Sequence, residues 1–300
     1  MHYRHPECAL IQGRRPPQVG YRNANVIDQF EHRGQCIDGE IAASRATRCD
    51  FGRAARNTGL MRELAERLRD IPGVVAVTLG GSRASGTARE ESDWDFGLYY
   101  RGRISADDVR ALGLEGEVVE PGEWGRLVNG GAWLTVEGQR VDLLYRDLDV
   151  VEHWLAEAEA GHYEVDRVEG YVAGMATYVL AGELALAEVL AGELPSPAFP
   201  EPLRESAPPR WRASSSFSLG VAESIAGRGD VATCVGLLSK AAIESAQAAL
   251  AERCEWALNE KGIARTAGLG RRAESILAAP GDRAFELGRA VESMRVALGL

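Results

Sequence analysis

Two acids inside an apolar run constrain this chain more than any other feature. Between Leu79 and Tyr100 it reads LGGSRASGTAREESDWDFGLYY, and the closing WDFGLYY has the aromatic and apolar character of a buried strand. Residues two apart on a strand share a face, so Asp93 and Asp95 project together while Trp94 points to the other side and fills the core behind the sheet. The preceding run, VVAVTL at 74–79, reads as a second buried strand. It ends in Gly80-Gly81-Ser82. The glycines let the backbone pass close to a ligand, and Ser82 with the amides after it can line the start of a short helix, an anion site. Arg83 and Arg89 stand nearby as charges for phosphate oxygens.

Two adjacent carboxylates repel each other, and a hard divalent cation is their natural partner. A third acid, Asp142, lies in the apolar run GQRVDLLYRD. If its strand neighbours that of Asp93 and Asp95, three carboxylates converge. That arrangement suits two magnesium ions that activate an attacking oxygen and steady a leaving phosphate.

Strand, Gly-Ser, polar spacer, Asp-x-Asp and a third strand aspartate together resemble the signature of the DNA polymerase β-type nucleotidyltransferase superfamily. The resemblance spans roughly residues 75–146. It implies that Asp93, Asp95 and Asp142 are the catalytic, magnesium-ligating acids and that Gly81 and Ser82 meet a nucleoside triphosphate, with Arg83 beside them. The helical segment downstream is similar, more loosely, to that of small antibiotic nucleotidyltransferases acting on aminoglycosides and lincosamides. Small antitoxin-type relatives share the motif but stop after the catalytic module, whereas this chain continues. Trp94 departs from the smaller aliphatic residue that is ordinary between the two acids.

The rest of the chain sorts around this motif. Residues 1–54 hold three of the five cysteines, carry Pro6, Pro16 and Pro17 and show no helical or strand period. They read as a poorly ordered extension, upstream of a possible natural start near Met61, and their Cys and His spacings fit no zinc pattern. Residues 55–150 read as the catalytic module. A helix over NTGLMRELAERLRDIPG has Asn57 or Thr58 as its cap and Leu60, Met61, Leu64 and Leu68 as its apolar face. A short helix follows Ser105, with Asp108 spaced for a capping box. A hairpin turns at Glu137-Gly138. The fold class expected is α+β: a small mixed-sheet module, then an all-helical domain over 151–300 that closes the cleft. An amphipathic helix is expected over DLDVVEHWLAEAEAG, 147–161, and further helices over 211–227, 230–259, 269–279 and 282–298, with the proline-rich PSPAFPEPLRESAPPRW as a connector.

Only two of the 34 basic residues are lysine, Lys240 and Lys261. Lys240, spaced i, i+4 from Glu244, is expected on the nucleotide phosphates. Lys261 reads as a helix-end residue before the stop at Gly262. His153 and His162 read as surface or packing residues. Tyr171 and Tyr178 face the presumed cleft, where stacking on a ring competes with core packing.

The net charge of −10 excludes a general nucleic-acid binder, which would carry a basic stripe. No apolar window is long enough to span a membrane, and a cytoplasmic location is expected. The function read from the sequence is magnesium-dependent transfer of a nucleoside monophosphate, AMP from ATP, to a hydroxyl of an antibiotic-like small molecule. Asp142 is the candidate to take the hydroxyl proton, ahead of Glu244. The alternatives are adenylylation of a protein or tRNA in a toxin–antitoxin system, and a catalytically inactive nucleotide-binding or regulatory module.

Overall fold

In the computed structural model, residues 57–300 are described, apart from 87 and 90. The expected extension over 1–54 lies outside them. The helix α1 covers 57–69. Asn57 and Thr58 already lie within it, so neither is the cap. Its apolar face, Met61, Leu64, Ala65 and Leu68, is buried on one side of the central sheet, as the sequence spacing required.

That sheet has six strands: β1 (Val74–Leu79), β2 (Trp94–Tyr100), β3 (Glu115–Val118), β4 (Gly131–Val136), β5 (Gln139–Asp147) and β8 (Glu188–Gly192), in the order β3-β4-β5-β2-β1-β8. The β2–β5 pairing is parallel and the others are antiparallel, so the sheet is mixed. The β4–β5 hairpin turns through Glu137 and Gly138, both at positive φ, the two-residue turn that matches strand twist. Two short strands, β6 (Val165–Asp166) and β7 (Met175–Ala176), pair separately.

Three short helices punctuate the sheet: α2 (Gly81–Ala84), α3 (Ala106–Arg110) and α4 (Gly125–Val128). Ser105 caps α3 by accepting from the Asp107 amide, one residue earlier than a capping box needs. Behind the sheet, Trp94, Phe96, Leu98 and Tyr100 of β2 join α1 in one core, so Trp94 packs where expected. On the front, Ala76 and Tyr99 pack with Leu148, Val151 and Trp154 of α5 (Leu148–Glu159) and Val179, Leu180 and Leu184 of α6 (Val179–Leu186). These helices cover the Tyr99 end of β2. The acids Asp93 and Asp95 stand at its other end.

The described residues form one compact unit. The sheet is not finished at residue 150, because β8 adds an edge strand beside β1. The remaining elements are helical: α7 (Glu201–Ala226), α8 (Val231–Glu252), α9 (Ile263–Thr266), α10 (Gly270–Ala278) and α11 (Ala284–Leu298). The proline-rich connector proves to be largely helix. Pro202 sits in the first turn of α7, where no amide donor is needed, but Pro208 and Pro209 lie inside it. An interior proline costs about 3 kcal/mol. Burial of Leu203, Ala207 and Trp211 against Tyr163, Tyr178, Ala248 and Ala251 offsets this. Asp230 caps α8 through the Thr233 amide, as expected. This helix ends at Glu252 rather than near 259, because Cys254 takes a left-handed conformation and Trp256 turns away to meet Phe199 and Tyr178.

Candidate active site

The parallel pairing of β2 and β5 sets Asp95 directly beside Asp142. Both are more than half buried on the front of the sheet, and burial is the main cause raising both pKa values. For Asp142 the neighbouring charges of Asp93 and Asp95 add to it, Arg140 and Lys261 oppose, and the result is pushed up to about 6. For Asp95 the charge of Asp93 adds, while Lys261 and Arg83 oppose. The three acids named from the sequence are thus electrostatic neighbours.

Asp93 lies just before β2. Arg140 Nε stands 2.6 Å from Asp93 Oδ1, but not at a hydrogen-bonding angle, and that buried oxygen has no hydrogen-bond partner among the described residues. The oxygen is ion-paired rather than free, and a hard cation bound there would take the place of the Arg140 guanidinium. The three carboxylates are the right donor type, and their shared electrostatic burden is what a divalent charge would relieve. As arranged here, no three His, Cys, Asp or Glu side chains among the described residues already form a metal cage.

The Gly-Gly-Ser turn meets the acids directly. Gly80 donates its amide to the Asp95 carbonyl at 2.8 Å. Gly81 has φ of 60°, and a Cβ there would stand 1.8 Å from Asp95 Oδ2. Glycine is needed at 81 for both conformation and space. Ser82 lies in α2 at the same turn.

Arg83, expected beside the phosphates, makes contacts at the chain entering β2. Its guanidinium donates to the Asp93 and Ser92 carbonyls and lies 4.1 Å over the Trp94 ring. It fastens α2 to the chain entering β2. Arg89, through its backbone amide, bonds to Ser92 Oγ.

The two lysines lie in different surroundings. Lys240 pairs with Glu244, whose side chain is 1% exposed and also accepts from Ser214 and Ser218. Among the described residues its polar partners are Glu244 and Ser218, both in the α7–α8 interface. Glu244 is therefore enclosed between helices and unavailable as a base for the sheet acids. Lys261 acts on both Asp95 and Asp142. Its segment is clasped to the loop before β7: Glu260 accepts from the amides of Val172 and Ala173, each at 2.7 Å. Tyr171, beside that loop, is charge-coupled to Glu183 and Glu260. Tyr178 is a core residue, donating to Gln247 and accepting from Trp211.

The sequence reading also passed over Arg140 and Trp133. Arg140 shares the face of Asp142 by strand period. Trp133 is the register partner of Asp142 across β4–β5.

Asp142 gives a pH prediction. With its pKa near 6 against an ordinary 3.8, the metal-free fold favours the acid form. Its stabilising contribution is complete below the ordinary value and is lost as pH rises through the folded value. Melting of the metal-free protein is expected to fall by about 1 kcal/mol in stability from this group across that window, after discounting for its partial exposure. Magnesium should recover the loss near pH 7.5, and Asp142→Asn should abolish that part of the slope. A metal-free profile identical in wild type and Asp142→Asn would contradict it.

Comparison with known families follows this geometry. Residues 61–151 match the model of the nucleotidyltransferase domain. No curated protein matches the chain. Among solved structures, a crystal structure of a nucleotidyltransferase-like protein from Exiguobacterium sibiricum is 12% identical, with 80% of this chain and 74% of that chain covered and a TM-score of 0.40. Residues 61–151 are thus similar to a nucleotidyltransferase domain, which supports a transferase activity. No described helix is long and apolar enough to cross a membrane.

Proposed function

We propose that this enzyme transfers a nucleoside monophosphate, AMP from ATP, to a hydroxyl of a small molecule of the antibiotic-like kind, with magnesium held by Asp93, Asp95 and Asp142. The observation that carries the reading is the side-by-side burial of Asp95 and Asp142 with Asp93 electrostatically coupled to both. Bound magnesium would neutralise phosphate charge and lower the pKa of the attacking hydroxyl.

The chain's own groups then divide the work. The turn at Gly81-Ser82 holds the phosphates close to Asp95. Asp142 takes the proton of the acceptor hydroxyl. The hydroxyl oxygen forms a bond to the α-phosphorus, the bond from that phosphorus to the bridging oxygen breaks, and pyrophosphate leaves with the electron pair. Lys261 offers a compact ammonium to the phosphates. The segment after residue 150 closes the cleft by carrying Lys261 on the Glu260 clasp. A cytoplasmic location follows from the need for a nucleoside triphosphate. The test is incubation with α-labelled ATP, magnesium and separate fractions of small molecules, tRNA and cell protein. Label in the small-molecule fraction supports this reading. Label in protein or tRNA would favour the adenylylating alternative.

The lysines separate cleanly in mutants. Lys261→Ala is expected to raise the KM for ATP about tenfold with little change in melting, the size of one charge-assisted contact. Lys240→Ala is expected to leave ATP kinetics alone and to cost about 1–3 kcal/mol of stability, because the buried Glu244 loses its cation. Weakened ATP binding in Lys240→Ala, with wild-type kinetics in Lys261→Ala, would reverse the assignment.

A further inference from the structure

One row of residues crosses the front of the sheet through the acids. From β3 to β2 it runs Glu117, Trp133, Asp142, Asp95, each directly opposite the next. Residues opposite each other in adjacent strands share a face. Trp133 therefore stands on the acid face, immediately beside Asp142. Its neighbours along β4, Ala132 and Leu134, are buried on the back, which fixes the alternation.

Trp133 is 43% exposed, unusual for tryptophan on a central strand. It is not alone. Trp124 lies against it with ring centroids 4.6 Å apart. Gly131, two residues before Trp133, has no room for a side chain: a Cβ there would stand 1.8 Å from the Leu143 carbonyl oxygen and 3.0 Å from the Trp124 ring. The pair forms an aromatic shelf. Its rim is acidic. Glu117 faces Trp133, Glu115 faces Thr135, and Asp142 closes the other side. Of the cations near this face, Arg140 is taken up by Asp93 and the Glu91 carbonyl, Arg146 by Glu183, and Lys261 acts on Asp142 and Asp95.

We propose that Trp133, backed by Trp124 and rimmed by Glu115 and Glu117, binds the acceptor, and that the acceptor presents a ring bearing a positive charge. The proposal rests on the nucleotidyl-transfer reading above. If the phosphates occupy the Gly81-Ser82 side of Asp95, the free side of Asp142 is the β4 side, and an acceptor hydroxyl at Asp142 places the rest of that molecule over Trp133. A π face attracts a cation or a flat ring, and the carboxylate rim rejects anions.

The test needs no knowledge of the acceptor. Saturation-transfer NMR on the full chain would compare benzylamine, benzyl alcohol and benzoate, then glucosamine and glucose, to separate flat from saturated rings. The amine of at least one ring type should bind roughly fivefold or more tightly than its neutral counterpart. Benzoate should not bind. Trp133→Ala should abolish the contact, Trp133→Phe should retain most of it, and Glu117→Gln should shrink the preference for the amine. Phe217→Ala, which removes an exposed ring on α7, should change nothing. Equal binding of benzoate, no binding of either amine, or amine binding unchanged in both Trp133→Ala and Glu117→Gln would overturn the proposal. Label transfer from ATP is measured separately. Its absence with probe binding intact would refute the nucleotidyl-transfer reading and leave the shelf standing.

Discussion

Asp95→Asn is expected to lower nucleotidyl transfer by on the order of 10³, about 4 kcal/mol in the barrier, while the metal-free protein melts no lower than wild type. The two effects have one source. The Asp95 carboxylate is raised in pKa first by burial and then by the charge of Asp93. Without a cation it is a cost to the fold, and asparagine removes that cost at nearly the same volume. With a cation bound it would be one of the ligands on which the proposed reaction depends, and an amide cannot supply its charge. Asp93→Asn should behave alike in activity. The measurement is label transfer beside thermal melting with and without magnesium. A variant that keeps most of its transfer would remove Asp95 from the site.

Gly81→Ala is the second large effect. At φ of 60° any residue with a Cβ is strained, by about 1–2 kcal/mol. Here the Cβ would also stand 1.8 Å from Asp95 Oδ2, so the carboxylate itself must move. Displacing a reacting group by about 1 Å costs on the order of 10² in rate. The neighbouring Gly80→Ala provides the contrast. At φ of −114° its nearest contact would be the Asp95 carbonyl at an ordinary 3.7 Å. Transfer should survive Gly80→Ala and fall about a hundredfold in Gly81→Ala. Equal activity in the two variants would show that the turn does not govern Asp95.

Much of this was legible in the sequence because it depended on short-range rules. Alternation put Asp93 and Asp95 against Trp94, and the structure buries Trp94 behind the sheet. The Glu137-Gly138 turn dictated the β4–β5 register, and with it the pairing of Trp133 with Asp142. That consequence was available from the turn alone but needed the register to be followed along both strands. Lys261 was hidden for a different reason. A good helix pattern led the α8 reading on past Glu252, and nothing local announces that Cys254 breaks it. The scarcity of lysine pointed to Lys240 and Lys261 equally. Which one reaches the acids depends on the long-range clasp of Glu260 on Val172 and Ala173. Likewise, the prolines of α7 signal a break by local chemistry, and only the burial of Pro208 and Trp211 explains why the helix continues. The edge strand β8 lies in an alanine-rich run whose pairing with β1 is set by tertiary structure.

On the proposed mechanism, three carboxylates hold a divalent metal on which nucleotidyl transfer depends. Its most direct test is to follow label from α-labelled ATP into a cell-extract fraction, with magnesium and with chelator, for wild type and Asp142→Asn. The account predicts transfer by wild type with magnesium only, release of pyrophosphate in equal amount, and neither product from Asp142→Asn. Transfer that persists in chelator, or that Asp142→Asn retains, would contradict it.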